Sequence, residues 1–302
     1  GRGGMGTVYD ALDRDRGVRV AIKTFSEVDA AAAARVKREF RVVADLAHPN
    51  LAAVYELAED QGLWFFAMEY IDGVGFTRWA RGASRTERTT PFMPVTRGDI
   101  DLDATTQNLA TGSAPTYLPE HIEPSLPACT MSALRAAMAE LTRGLAALHD
   151  AGLRHGDVKP ENVLVRDDGR VVLVDFGLAA EVGSGRARRG PTAGTPIYMA
   201  PEQLSGPDVG PAADWYAVGT MLYEVLTGRL PFDAESLLDL YFQKAHHTPA
   251  SPRERLGEVP ADLNDVCMAL LRNVPERRPG GAELLRVFTG DEEARRRLAE
   301  RA

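Results

Sequence analysis

The sequence predicts an α+β fold in two lobes: a small antiparallel-sheet lobe with one main helix, reaching to about Tyr70, and a larger, mainly helical lobe. Three observations predict it. Val20-Ala21-Ile22-Lys23 alternates as a strand does, and Trp64 to Tyr70 is a second apolar strand. Both fall in the first quarter of the chain. Further on, Leu134, Met138, Leu141, Leu145 and Leu148 repeat at helical spacing across Ala133–His149, with Thr130 or Ser132 as the cap. A length of 302 residues, 44% hydrophobic and 26% charged, has room for one large domain or two smaller ones.

Taken in order, the chain opens on Gly1-Arg2-Gly3-Gly4-Met5-Gly6-Thr7-Val8. Its glycines allow a tight turn and let backbone N–H groups approach phosphate oxygens. Lys23 is the sole charge of the strand that follows. Ala30 to Leu46, rich in Ala, Arg, Glu and Leu, reads as the small-lobe helix and stops before His48-Pro49-Asn50. Glu39 lies beside the apolar stripe Val36, Phe40 and Val43, and is therefore read as facing the cleft. In the second lobe, Val163-Leu164-Val165 and Val171 to Val174 are short strands around an Asp167-Asp168-Gly169 turn. Gly290-Asp291-Glu292-Glu293 and the Arg-rich tail over residues 290–302 read as one exposed helix or a linker.

The chemistry concentrates in His155-Gly156-Asp157-Val158-Lys159-Pro160-Glu161-Asn162 and, further on, Asp175-Phe176-Gly177. Asp157 can accept the proton of an attacking hydroxyl, and Lys159 can neutralise charge on a transferring phosphate. Asn162 and Asp175 can each hold a magnesium ion. Downstream come Gly194-Thr195-Pro196-Ile197-Tyr198-Met199-Ala200-Pro201-Glu202, then Asp214-Trp215-Tyr216, then Pro275 to Pro279 with Arg278. Together, and in this order, these motifs resemble the protein kinase catalytic domain from Gly1 to about Thr289, and bacterial Ser/Thr kinases of eukaryotic type most of all.

That resemblance implies a kinase-like fold with a small lobe over residues 1–70 and a large lobe over residues 71–289. ATP would lie in the cleft between them with Mg2+, and protein Ser or Thr hydroxyls, the chain's own included, would be acceptors. Gly1, Gly3 and Gly6 would cradle the phosphates, and Lys23, held by Glu39, would fix the α- and β-phosphates. Val8, Ala21 and Leu164 would sandwich the adenine; Met68 would be the gatekeeper, with backbone groups of Glu69 and Ile71 meeting the base. Asp157 would be the base, aided by Lys159, with Asn162 and Asp175 on the metal. Asp214 would tie down the catalytic-loop backbone, Arg278 would pair with Glu202, and Thr195 would bond Asp157 and Lys159. His155, Phe176, Val43 and Val54 would stack into a column between the lobes.

Three departures from the family pattern stand out. The chain begins at the first glycine, which suggests a piece of a longer, multidomain chain. Residues 81–128, rich in Thr, Pro, Gly and acids, read as a flexible insertion that is either inert or a site of autophosphorylation or docking. Gly156 stands where the family usually has the arginine that receives an activation-segment phosphate. Activity is therefore expected to depend little on phosphorylating Ser184 or Thr192. Gly156 also keeps open a small-molecule phosphotransferase of the aminoglycoside or choline type, which often carries His-Gly-Asp here. Lys159 and the 194–202 segment favour the protein kinase. A nucleotide-binding pseudokinase would be expected to have lost Lys23, Asp157, Asn162 or Asp175, and all four are present.

Composition adds bounds. A net charge of −8 without a basic stripe argues against nucleic acid as a partner. No apolar run approaches the roughly 20 residues of a membrane span. Two distant cysteines, Cys129 and Cys267, read as reduced thiols, and a cytoplasmic setting follows.

Overall fold

The computed structural model describes residues 2–3, 6–25, 37, 40–60, 63–82, 125–175, 195–205 and 209–301. β1 (Arg2–Gly3), β2 (Gly6–Asp13), β3 (Val18–Phe25), β4 (Val54–Asp60) and β5 (Leu63–Glu69) form an antiparallel sheet of order β1-β2-β3-β5-β4. The register puts Val8 opposite Lys23, Lys23 opposite Phe66, and Ala21 opposite Met68. Strand side chains alternate faces, so Val8, Ala21, Lys23, Phe66 and Met68 share one face. There Trp64, Phe66 and Met68 form a small core joined by Val8, Ala21, Phe40, Val54 and Leu57. Of the helix expected over residues 30–46, residue 37 and residues 40–46 are described; residues 37 and 40–44 are helical, and Asp45 and Leu46 already lie past its end.

The chain then crosses into a larger body. β6 (Gly73–Gly75), β7 (Val163–Arg166) and β8 (Val171–Leu173) make a second antiparallel sheet of order β6-β7-β8. Around it lie α1 (Phe76–Ala80), α2 (Met131–Asp150), α3 (Pro201–Ser205), α4 (Ala212–Thr227) and α5 (Leu237–His246). α6 (Pro252–Arg255), α7 (Ala261–Leu270), α8 (Gly281–Phe288) and α9 (Glu292–Ala299) complete it. The Thr130 hydroxyl caps α2 by accepting from Ala133 N at 3.2 Å, and the five apolar positions read from the sequence are fully buried. Burial of such a stripe at about 25 cal/mol per Å2 is the main force seating the helix. α4 is buried nearly all round, as a central helix must be. A Cβ at Gly219 would come within 2.7 Å of Leu270 Cβ, so glycine there lets α4 and α7 approach.

The two bodies are stitched at His48-Pro49-Asn50. Leu173 N donates to Asn50 O and Ala52 N to Leu173 O, both at 2.9 Å. The Asn50 amide donates to Val171 O at 2.8 Å, and Glu140 on α2 accepts from both Asn50 and Val171 N. The segment that ends the small-lobe helix is thus fixed to the strand that leads to Asp175.

Two expectations need adjusting at their edges. Arg81, inside the span read as an insertion, donates to the carbonyls of Ser125 and Val225, so both rims of that span are held against the large lobe; residues 83–124 lie outside the described residues. The tail forms α9, capped by Asp291, whose side chain accepts from Ala294 N at 3.0 Å. It is not exposed all round, because Ala294 and Leu298 are buried in the main core.

Candidate active site

The loop from Leu153 to Asn162 is shaped by a buried carboxylate. Asp214, on the first turn of α4, accepts from His155 N at 2.8 Å and Gly156 N at 2.9 Å. It also meets His149 Nε2, at the end of α2, at 2.9 Å. Burial pushes the Asp214 carboxyl up, but the His149 hydrogen bond, the neighbouring His155 and the Gly156 N–H outweigh it and leave it below its ordinary value. Gly156 has φ 77°, a left-handed conformation that lets two successive N–H groups turn toward one carboxylate.

His155 locks the loop to the next strand. Its Nδ1 accepts from Asp157 N at 3.3 Å while its Nε2 faces Val174 O at 3.1 Å, which selects the neutral tautomer protonated on Nε2. Burial holds its pKa below the usual histidine value, against the pull of Asp214, Asp157 and Asp175. Val174 N in turn donates to Asn162 O at 2.9 Å. The residues on either side of the cleft floor are therefore joined by one main-chain bond and by the buried His155 ring.

On that frame the polar groups converge. Asp157 Oδ2 accepts from Lys159 Nζ at 2.6 Å and from Asn162 Nδ2 at 3.1 Å. The Asn162 amide also donates to Asp157 O at 2.8 Å. From the small lobe, Lys23 Nζ reaches Asp175 Oδ2 at 3.0 Å. Lys23 is 6% exposed, so this is a shielded pair. Asp175 is the one non-glycine residue with positive φ among the described residues, at 63°. Its Oδ1 is buried without a hydrogen-bond partner. A buried carboxylate oxygen left this way costs about 1–3 kcal/mol unless a cation or donor meets it. The donor set suits a hard cation: one free carboxylate oxygen, and an amide whose Nδ2 is committed to Asp157 so that its oxygen is the atom left to give. Mg2+ is usually held by so few protein oxygens, with phosphates and water completing its shell.

The remaining residues expected at the site fall as follows. Val8, Ala21 and Met68 line the Lys23 face of the sheet. Leu164, half-buried on β7, packs against the large-lobe core. Glu69 N donates to Ala53 O at 2.7 Å, while Ile71 is buried in the large-lobe core. Gly3 and Gly6 pair across β1 and β2. Gly1, Glu39 and Phe176, with Ser184 and Thr192, lie outside the described residues, so the expected Lys23–Glu39 pair does too. Arg278 grips Glu202 through two nitrogens, at 2.5 and 2.9 Å.

Sequence reasoning missed His149, Lys244 and the Tyr198–Glu224 pair. Tyr198 donates to Glu224 Oε2 at 2.8 Å. Tyr198 and Met199 border a small cleft with Gly156, Asp157 and Val158, which puts the 195–200 segment beside Asp157.

Over residues 1–95 and 109–287 the chain matches the protein kinase domain, and it belongs to that family. It is 32% identical over 288 residues to the probable serine/threonine-protein kinase pknA2 of Bifidobacterium longum, covering 93% of this chain and 32% of that protein. To the serine/threonine-protein kinase PknL of Mycobacterium tuberculosis it is 32% identical over 280 residues, covering 91% of this chain and 59% of PknL. The chain thus spans from about a third to three fifths of the length of these relatives. Its fold is similar to that of Rad53 1-466, crystallised with AMP-PNP, with a TM-score of 0.67 at 22% identity over 94% of this chain and 62% of that one. No helix among the described residues is long and apolar enough to cross a membrane.

Proposed function

We propose that this chain is a serine/threonine protein kinase domain, transferring the γ-phosphoryl group of ATP to Ser or Thr hydroxyls of proteins, itself included. The observation that carries the reading is the convergence of Lys23, Asp157, Lys159, Asn162 and Asp175 on one cleft. In this reading residues 1–70 are the small lobe and residues 71–289 the large one. The Lys23 face of the sheet, with Val8, Ala21 and Met68, covers the adenine from above, and Leu164 covers it from below. Gly1, Gly3 and Gly6 approach the phosphates, and main-chain groups of Glu69 and Ile71 recognise the base. The names of the relatives support Ser/Thr acceptors, and the AMP-PNP complex of Rad53 supports an adenine nucleotide.

Lys23 positions the α- and β-phosphates, with Glu39 as its expected second partner. Asp157, held by Lys159 and Asn162, orients the acceptor hydroxyl and takes its proton as the oxygen attacks. Lys159 then lies beside the charge that gathers on the transferring group. Asn162 and Asp175 would hold Mg2+, which when bound neutralises the nucleotide's phosphates. Catalysis is mainly placement and electrostatics, and the locked His155 tautomer and the Asp214 hub are what keep Asp157 in place.

The test is transfer of labelled γ-phosphate from Mg·ATP to a generic basic protein, to the chain itself and to a panel of aminoglycosides, followed by phosphoamino-acid analysis. Label on Ser or Thr is the expected result. Label on an aminoglycoside assigns the chain to the small-molecule phosphotransferases, and nucleotide binding without transfer makes it a pseudokinase.

A further inference from the structure

Lys244 is a buried ammonium that takes no part in the phosphoryl-transfer scheme above. It sits on the last turn of α5, fully buried, with its Nζ 2.8 Å from Pro196 O, 2.7 Å from Ile197 O and 2.7 Å from Met199 O. The ammonium has three N–H bonds, and each points to one of three main-chain carbonyls. No carboxylate lies within ion-pair distance of it among the described residues. The Tyr216 ring on α4 is 5.5 Å from Nζ, and the Arg278 guanidinium covers the same ring at 4.9 Å. Glu202, the acid on α3, which packs against α5, is engaged by Arg278. On α5 and just past it the other titratable groups are Asp239, Tyr241, His246 and His247.

The three carbonyls belong to the segment that borders Asp157. Only a protonated amine can satisfy all three at once. A neutral amine has two N–H bonds and a lone pair, and that lone pair would face a carbonyl oxygen. Burial pushes the Lys244 ammonium down to about 7; the three carbonyls it donates to and the Tyr216 ring are the groups that favour its charged form.

We propose that the Lys244 ammonium is a positioning group for the protein acceptor: by gathering the carbonyls of Pro196, Ile197 and Met199 it fixes the platform on which the acceptor segment lies beside Asp157. The inference rests on the protein kinase reading. Loss of the proton loosens the platform and leaves the nucleotide side of the cleft, built on Lys23, Asn162 and Asp175, as it was. Transfer to a peptide therefore weakens with rising pH, and transfer to water, which needs no platform, does not weaken with it. Global unfolding has the opposite sign. A lysine whose folded value lies below its ordinary 10.5 makes the fold more stable as pH rises between the two values, because the unfolded chain holds the proton longer.

The experiment uses a Ser peptide without titratable side chains and measures, from pH 6.5 to 9, kcat/KM for peptide phosphorylation relative to ATP hydrolysis in the same sample. The ratio is expected to fall about tenfold, the worth of one hydrogen bond to a charged group. Lys244→Met, which keeps the bulk and removes the donors, is expected to start low in peptide kcat/KM, keep its KM for ATP and show no such fall. A ratio that stays level in the wild-type protein, or a fall that persists in Lys244→Met, overturns the proposal. If the variant does not fold, the wild-type ratio decides. Hydrolysis without peptide transfer at any pH removes the kinase reading itself, and this inference with it.

Discussion

Gly156 shapes the catalytic loop through the left-handed turn of its backbone. From the sequence it is the loss of an arginine that would receive a phosphate. The structure adds that its φ is 77°, and that this turn sends its N–H and that of His155 to Asp214. A side chain in that region costs about 1–2 kcal/mol per residue. Gly156→Ala is expected to lower unfolding free energy by that amount in a denaturant titration, and unchanged stability would show that the loop tolerates another turn. Asp175 occupies the same region at φ 63° without being glycine. Strain of this kind persists where surrounding structure enforces it, and here Val174 is fixed on both sides, by His155 and by Asn162. Its outcome is one Asp175 oxygen on Lys23 and the other buried without a hydrogen-bond partner.

Among the elements, α2 was legible because its buried face is a regular stripe, and the β7–β8 hairpin because Gly169, with φ 83°, marks its turn. α4 gives no period to read, since a helix buried on every side is not amphipathic. The role of Lys244 left no trace, because its partners are main-chain carbonyls 45 to 48 residues away and any residue type supplies a carbonyl. His149 was read as the end of a helix; its bond to Asp214 depends on how α2 and α4 pack, which no local pattern encodes. The Arg278–Glu202 pair, which ties α3 to the loop before α8, is one that the resemblance to the protein kinase domain implies. The Arg278 side chain is fully shielded and that of Glu202 is 16% exposed. Arg278→Met leaves a mostly buried acid without its partner and is expected to cost about 3–5 kcal/mol. Adding Glu202→Gln should recover much of that loss, and if it recovers none, the pair is not what holds these elements.

At the scale of the whole molecule, the site exists only where two bodies meet. The small sheet brings Lys23; the large lobe brings Asp157, Lys159, Asn162 and Asp175; and the Asn50 stitch fixes the small-lobe helix end to β8. A change in lobe closure therefore alters the Lys23–Asp175 contact without touching the Asp157 loop. The measurement that tests the central claim most directly is the single-turnover rate of phosphoryl transfer from Mg·ATP to a Ser peptide, in the wild-type protein and in Asp157→Asn, with nucleotide affinity measured in both. A fall of about 10^2 to 10^4 in rate with unchanged affinity for Mg·ATP is the predicted result, the usual worth of a positioned general base. An unchanged rate in Asp157→Asn would contradict it and place the chemistry elsewhere in the cleft.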